Sequence, residues 1–308
     1  MQTTMCEKPT IAGKYMRPVG VWRSAGVGAA SLICAMEGSP LHADASVGDH
    51  VVWGGHATVR IVLGDAAVLT DPVLRRRVMH LQRVVPLVPG LGTDLRAVLI
   101  SHLHHDHLDL ASLRMLPGAA QIVVPVGARR ALGRRTLQRV IELAPGESVD
   151  IAGVQVRATI AAHDGGRAGR RGVAAPAIGY VIARAATTVY FAGDTDIFAG
   201  MADIAPRIDC ALLPVWGWGS TLGPGHLDPE RAADALTLLR PRIAVPIHWG
   251  TYRPVVGRGA PPPQAGAPET RFAAAAARRA PGVAVRILAP GEPLAVGGAA
   301  CAGSAPLR

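Results

Sequence analysis

The sequence is short of cysteine and of aromatic residues, and both shortages exclude classes of protein. Its four cysteines are scattered and include no Cys-x-x-Cys pair, so the sequence predicts neither a disulfide framework nor a thiolate metal site. Aromatic residues make up only 4% of the chain, and no basic segment is interleaved with them, which argues against nucleic acid as a partner. Scattered cysteines are typical of a reducing compartment, so we expect a cytoplasmic protein.

Long apolar runs are also missing. No run approaches the roughly 20 residues that cross a bilayer, so the sequence predicts no transmembrane segment. The 308 residues are 49% hydrophobic, enough to bury one large core. We expect a poorly ordered N-terminal extension over residues 1–49, one domain over residues 50–290 and a C-terminal tail over residues 291–308. Basic residues before a short apolar segment in the extension loosely resemble a secretory signal, and that alternative stays open.

The formal net charge is +10, and almost all of the positive residues are arginine. Arginine runs at residues 75–77 and within residues 129–135 can attract phosphate groups. A composition rich in arginine and alanine can also reflect coding bias, so the charge by itself does not identify a partner.

The densest polar segment covers residues 101–109 and contains four histidines and two aspartates. It follows the apolar residues 97–100, which are typical of a buried strand. Imidazole and carboxylate are good ligands for Zn²⁺, Mn²⁺ and Fe²⁺. Alternate residues of an extended loop face the same way, so His102 and His104 can bind one ion while Asp106 and His107 reach a second. The alternative is a solvated polar loop, against which the density of histidine argues.

Three further predicted strands each end beside a potential ligand. Taken alone, each of these ligands would more often be structural, but their order and their shared place after a strand favour a common site. The pairs are residues 154–160 before His163, residues 187–192 before Asp194, and residues 242–247 before His248.

In this order the motifs resemble the metallo-β-lactamase superfamily, whose signature is His-x-His-x-Asp-His, then a His, an Asp or Cys, and a His. The resemblance covers residues 50–290 and implies an α/β fold, the four-layer αββα metallo-β-lactamase sandwich. It implies two divalent metal ions, with Zn²⁺ the first candidate and Mn²⁺ the second. By the resemblance His105 is not a ligand. The ligands it implies are His102, His104 and His163 for one ion and Asp106, His107 and His248 for the other, with Asp194 bridging.

Further phrases resemble the branch that contains N-acyl-phosphatidylethanolamine-hydrolysing phospholipase D and the L-ascorbate-6-phosphate lactonases. They are Gly-His-Ala-Thr, Thr-Asp-Pro, Gly-Asp-Thr and His-Trp-Gly, in that order. The resemblance implies that Asp71 orients a metal-bound histidine and that His226 faces the substrate. His56 and Trp249 are expected to support the ligands or contact the substrate. The alternatives are a turn for Asp71, a loop histidine for His226, backbone satisfaction for His56, and packing for Trp249.

The function implied by the resemblance is hydrolysis by a metal-bridging hydroxide. The expected substrate is a phosphodiester or lactone, either a small molecule or a lipid, and anionic. Asp106 would be a ligand first and a proton acceptor second, and His226 would contact the leaving group or a phosphate. Two alternatives stay open: a nuclease of the same superfamily, although no RNA-binding insertion is visible between the motifs, and a metal-binding protein without catalysis. No oligomeric state is predicted.

Helices and strands alternate through the rest of the chain. Helices are predicted over residues 110–116, 127–132, 229–239 and 272–279, and strands over residues 121–124, 210–215 and 283–288. The best-marked helix start follows Asp228, which can cap the helix before Pro229 and Glu230 in its first turn. Residues 252–268 are predicted to be irregular.

Overall fold

A computed structural model describes residues 48–132, 140–167, 172–217, 222–255 and 267–297. The predictions for residues 1–47 and 298–308 therefore lie outside the described residues. No helix in the described ranges is long and apolar enough to cross a membrane. The described helices are α1 (Leu110–Leu113), α2 (Arg129–Leu132), α3 (Pro229–Leu239) and α4 (Pro268–Arg279), with a 3-10 helix over Met201–Asp203.

The first sheet has seven strands within the described ranges. In spatial order the strands are β17 (Pro293–Ala295), β1 (His50–Gly55), β2 (Thr58–Leu63), β3 (Ala66–Thr70), β6 (Leu95–Leu99), β7 (Gln121–Pro125) and β8 (Val140–Leu143). Strands β1, β2 and β3 form an antiparallel meander, and β3, β6, β7 and β8 run parallel to one another.

The strand β17 lies within the residues that were expected to form a C-terminal tail. It pairs antiparallel with β1, Leu294 packs against the core, and Val296 is buried. Burial of these apolar side chains explains why the sheet continues past the boundary expected at residue 290.

The second sheet also has seven strands among the described residues. In spatial order its strands are β16 (Ala284–Val285), β14 (Ile243–Ile247), β13 (Cys210–Pro214), β12 (Thr187–Phe191), β11 (Ile178–Arg184), β10 (Val154–Ile160) and β9 (Ser148–Ile151). Strands β10, β11 and β12 are antiparallel, and β12, β13, β14 and β16 are parallel. A small sheet joins β15 (Tyr252–Pro254), β5 (Leu81–Arg83) and β4 (Arg77–Val78).

Three hydrophobic clusters separate four layers. One lies between the two sheets, a second lies between the first sheet and α1 and α2, and a third lies between the second sheet and α3 and α4. Strand β6 contributes apolar side chains to both faces of the first sheet: Ala97 and Leu99 lie in the central cluster, whereas Val98 lies in the outer one. A side-chain period of two with every position apolar is the pattern of a strand buried on both faces. The expected αββα sandwich is confirmed.

Most predicted elements form close to their predicted bounds. The strand predicted over residues 154–160 is β10, and Asp228 caps α3 by accepting a hydrogen bond from the backbone N–H of Arg231 at 2.7 Å. Helix α4 begins earlier than predicted, at Pro268, because the fixed φ of proline suits a first helical turn. Helix α1 ends at Leu113, before Met115, whose side chain is exposed. The strand predicted over residues 283–288 forms only over Ala284–Val285, and β15 lies in the segment predicted to be irregular.

Candidate metal centre

The predicted ligands lie where strands of both sheets end. Residues 101–109 follow β6, and His163, Asp194 and His248 follow β10, β12 and β14. The loop after β6 turns tightly, because the backbone N–H groups of His107 and Leu108 both donate to the carbonyl of His104, at 3.1 and 2.8 Å. Strands of a sheet that run the same way end at one edge, so the fold gathers side chains that are distant in sequence.

Three histidines form the first ligand group, which we define as His102, His104 and His163. One ring nitrogen of each lies within 4.8 Å of the others. Nε2 of His163 is 3.2 Å from Nδ1 of His104. His102 is fully buried, whereas His104 and His163 are half-buried. These are the residues that the sequence analysis assigned to one metal.

The second ligand group consists of Asp106, His107 and His248. Nε2 of His107 is 3.0 Å from Nε2 of His248, and Oδ2 of Asp106 is 3.9 Å from each of these nitrogens. His56 joins this group, because its Nε2 is 3.0 Å from Oδ2 of Asp106. The structure thus brings together the residues predicted for the other metal, with one further histidine beside them.

Asp194 lies between the two groups. Its Oδ2 is 3.2 Å from Nε2 of His107 and 4.0 Å from Nε2 of His102, and its Oδ1 is 3.3 Å from Nε2 of His248. One carboxylate therefore faces histidines of both groups, which is the position that the sequence analysis expected of a bridge.

Backbone carbonyls determine which nitrogen carries the proton in two of these rings. Nδ1 of His163 is 2.9 Å from the carbonyl oxygen of Gly225, and Nδ1 of His248 is 2.7 Å from that of Trp216. A carbonyl only accepts, so each Nδ1 donates and each Nε2 of the neutral ring keeps a lone pair directed into the site. Sequence reasoning missed these two partners, because a backbone carbonyl leaves no side-chain signal.

Asp71 and Ser101 orient two more histidines. The buried carboxylate of Asp71 accepts from Nδ1 of His107 at 2.8 Å, and from the backbone N–H and hydroxyl of Ser101 at 2.7 and 2.5 Å. Because the hydroxyl proton of Ser101 goes to Asp71, the Ser101 oxygen accepts from Nδ1 of His102 at 2.9 Å. Asp71 thus orients His107 of the second group directly and His102 of the first group through Ser101. This role of Ser101 was not predicted from the sequence.

These hydrogen bonds leave nitrogen lone pairs facing one another. Nε2 of His107 and of His248 are 3.0 Å apart, and both rings are held by their Nδ1 atoms. Nε2 of His102 is buried and has no hydrogen-bond partner among the described residues. Facing lone pairs repel unless a proton or a cation lies between them, and imidazole with carboxylate is a donor set that suits Zn²⁺ or Mn²⁺. The residues present therefore fit a metal centre.

Histidines of the centre such as His102, His163 and His56 have lowered pKa values, which favours the neutral, metal-binding form of the ring. Burial and the neighbouring His107 lower the pKa of His102 well below its ordinary value. Burial also lowers the pKa of His163 to about 4 and that of His56 to about 3. These rings are therefore neutral at neutral pH, which is the form that binds metal.

For the two carboxylates of the centre, charged neighbours and not burial determine the direction of the pKa shift. Burial disfavours the charged forms of Asp106 and Asp194, but the nearby histidines outweigh it and hold the pKa of both carboxyls well below their ordinary range. Burial likewise disfavours a charged His107, yet Asp194 and Asp106 raise the pKa of His107 well above its ordinary value. The buried Asp194 and the half-buried Asp106 thus attract positive charge to the point where the two ligand groups meet.

His226 lies at the edge of the centre and lines the cavity described below. Its Nε2 is 3.6 Å from Oδ2 of Asp194, and its Nδ1 is 3.1 Å from the carbonyl oxygens of Gly223 and Pro224. The neighbouring carboxylate of Asp194 raises the pKa of His226 against the effect of burial. His163, Asp194 and His226 also have ligand atoms close enough to share one ion.

His56 is held from several sides. Its backbone N–H donates to the hydroxyl of Thr251 at 2.6 Å, and its carbonyl accepts from the N–H of His248 at 2.9 Å. Its ring lies tilted against that of His248, with the ring centroids 3.8 Å apart. Its φ of +55° is uncommon for a residue other than glycine. Such strain persists where the surroundings determine the conformation, which is frequent at functional sites.

Trp249 is placed behind the site. Its indole stacks on that of Trp53, with ring centroids 5.1 Å apart, and its Nε1 donates to the carbonyl of Pro246 at 2.9 Å. In the described ranges no tryptophan lines the cavity at the site, and its apolar part is formed by aliphatic side chains.

The cavity has a volume of about 380 Å³ and opens onto both ligand groups. One side carries His104, Asp106, Asp194 and His248. The other lining residues are mostly apolar or histidine, with one arginine: Val78, Met79, His80, Leu81, His105, Arg167, Gly217, Leu222, Gly223 and His226.

Comparison with known proteins agrees with this geometry. The family described as "Beta-lactamase superfamily domain" matches residues 66–249. A UPF0173 metal-dependent hydrolase of Thermoplasma volcanium is 32% identical over 66% of this chain and 84% of its own length. Another from Nitratidesulfovibrio vulgaris is 32% identical over 79% of this chain and 94% of its own. Igni18, a metallo hydrolase of Ignicoccus hospitalis, superposes with a TM-score of 0.60 at 25% identity over 80% of this chain and 97% of that one.

The family match spans β3 to the loop after β14, and so includes Asp71, the loop after β6, His163, Asp194 and His248. The relatives share most of their length with this chain and are named for metal-dependent hydrolysis. The chain is therefore a metal-dependent hydrolase of the metallo-β-lactamase superfamily and belongs to the UPF0173 family.

Proposed function

We propose that this hydrolase uses a dinuclear centre, with His102, His104 and His163 holding one ion and Asp106, His107 and His248 the other. The observation that carries the proposal is the position of Asp194, whose carboxylate faces histidines of both groups at 3.2 to 4.0 Å. Zn²⁺ is the first candidate and Mn²⁺ the second, because the donors are imidazole and carboxylate.

When bound, two such cations lower the pKa of a shared water and stabilise negative charge that develops on the substrate. The protein's part is orientation. Asp71, Ser101 and the carbonyls of Gly225 and Trp216 keep the Nε2 atoms of four histidines directed at one centre. Such partners of a ligand typically contribute 10- to 100-fold to metal affinity or activity.

His226 is proposed to serve the leaving group. Its Nδ1 donates to backbone carbonyls, and Asp194 favours a proton on Nε2, the atom that faces the cavity side of the centre. It can therefore hold a proton at Nε2 and pass it to a leaving oxygen. Asp106 is proposed as a ligand first and a proton acceptor second, with His56 fixing its Oδ2.

The proposed substrate is a phosphodiester or a lactone that belongs to a small molecule or a lipid. Its support is the resemblance to the branch with N-acyl-phosphatidylethanolamine phospholipase D and ascorbate-6-phosphate lactonase, together with the mostly apolar remainder of the cavity. A cytoplasmic location stays a prediction from the cysteines.

Metal analysis and a substrate screen test the proposal together. Elemental analysis of the purified protein, reconstituted with Zn²⁺ or Mn²⁺, is expected to approach two ions per chain. The same preparation is assayed on phosphodiesters, phosphomonoesters, lactones and RNA, with chelator-treated protein as the control. One ion or fewer after reconstitution contradicts the dinuclear centre, and turnover of RNA alone contradicts the proposed substrate.

A further inference from the structure

Arg167 is the one arginine among the described residues that lines the cavity. Other arginines lie elsewhere: some pair with carboxylates, as Arg271 does with Glu230, and the buried Arg83 donates to backbone carbonyls. Arg167 is half-buried and lines the cavity, yet no carboxylate among the described residues forms an ion pair with it. A partly buried cation without a counter-ion is costly, and proteins keep such groups where something else compensates the charge.

The contacts of Arg167 hold part of its guanidinium in place. Nη1 donates to the carbonyls of Leu103 and Leu108, both at 3.0 Å, so it joins the two ends of the metal-binding loop. Nη2 donates to Nδ1 of His105 at 2.7 Å. A guanidinium has five N–H donors, so Nε and one hydrogen of Nη2 have no acceptor among the residues that the structure describes.

His105 is oriented by the same contact. Since its Nδ1 accepts from Arg167, the proton of the neutral ring is on Nε2, and the ring also lines the cavity. His105 occupies a position of the loop that the sequence signature leaves unassigned. Two adjacent side chains thus bring N–H donors to the cavity wall without belonging to either ligand group.

We propose that Arg167 and His105 form an anion-binding subsite, which selects substrates that carry a carboxylate or phosphate group beside the bond that is hydrolysed. This rests on the proposed function and adds to it the residues that would recognise the anionic part. An Arg with a planar fork of donors suits either oxyanion, and a substrate anion would form with Arg167 the direct ion pair that no described carboxylate forms. The aliphatic side chains Val78, Leu81 and Leu222 would then contact an apolar part of the same molecule.

The first experiment needs no turnover. Inorganic phosphate is titrated into chelator-treated protein and followed by ³¹P line broadening, for wild type, Arg167→Met, Arg167→Lys and His105→Ala. Arg167→Met is expected to weaken phosphate binding about tenfold or more, the size of one lost hydrogen-bonded charge contact, with partial recovery in Arg167→Lys. His105→Ala, which leaves the bonds from Arg167 to the loop carbonyls in place, should weaken it less. Equal binding by wild type and Arg167→Met overturns the subsite.

The second experiment uses a lactone with and without a carboxylate substituent on metal-loaded protein. The ratio of kcat/KM for the charged over the neutral lactone is expected to fall about tenfold in Arg167→Met, mainly through KM. Arg271→Met, which removes a surface arginine on α4, should keep the wild-type ratio and metal content. A wild-type enzyme that hydrolyses neither lactone nor any phosphodiester counts against the proposed function, while the phosphate titration still tests the subsite. Loss of metal in Arg167→Met with an unchanged ratio would mean that Arg167 only holds the loop.

Discussion

The two ligand groups differ in how deeply they lie and in what holds them. In the first group His102 is buried and the other two histidines are half-buried, whereas in the second His107 and His248 are 0% and 2% exposed and only Asp106 is half-buried. His107 bonds to the buried Asp71, and His248 lies between the carbonyl of Trp216 and the ring of His56. The second group is therefore more rigidly oriented before any ion binds, and we expect it to bind its metal more tightly than the first.

The largest expected effect comes from removing the residue that faces both groups. Asp194→Ala should lower metal content at both and reduce kcat by several orders of magnitude, because in the proposed dinuclear centre this carboxylate would be shared by the two ions. Kinetics with metal analysis measures this. The control is Asp196→Ala, a neighbouring carboxylate that pairs with Arg231 at the surface and should leave turnover near the wild-type value. Normal turnover in Asp194→Ala would make the Gly-Asp-Thr segment an ordinary turn.

The next prediction separates the proposed metal ligands from His226, the residue proposed to face the substrate. His226→Ala should keep both ions and lose activity by roughly 10²–10⁴-fold, the range typical of a positioned acid–base group. His248→Ala should lose the ion of the second group as well as activity. Metal analysis of both variants, with rates on the best substrate found, makes the comparison. Loss of metal in His226→Ala would instead assign this histidine to the centre with His163 and Asp194, whose ligand atoms lie close enough.

Asp71 sharpens the comparison because it contacts the two groups by different routes. Asp71→Asn keeps the shape of the side chain but removes its charge, so metal affinity should fall by about 10- to 100-fold. The loss should be greater for the second group, where the contact with His107 is direct, than for the first, where it passes through Ser101. Competition with a chelator at graded concentrations measures the two affinities. Asp209→Asn, a buried carboxylate that bonds to Thr188, is the matched control and should leave both affinities unchanged.

The ligands could be predicted from the sequence because they follow apolar strands at short, regular spacing. His102, His104 and His107 lie within six consecutive residues, and strands such as β10 alternate clearly. The contact of His56 with Asp106 could not be predicted, because it joins segments 50 residues apart and depends on a left-handed backbone at His56. The contacts of Arg167 with Leu103 and Leu108 were also missed, since their acceptors are backbone carbonyls, which every residue has.

The smallest expected effect concerns the packing behind the second group. The stack of Trp249 on Trp53 supports the backbone at His248 and at His56, whose carbonyl accepts from Nε1 of Trp53 at 2.9 Å. Trp249→Leu should lower the free energy of unfolding by about 1 kcal/mol or somewhat more, through the lost aromatic pair and lost packing. KM should stay near the wild-type value, because this indole does not line the cavity. Denaturant unfolding and steady-state kinetics test both parts. A large rise in KM with unchanged stability would instead support the contact between Trp249 and the substrate that the sequence suggested.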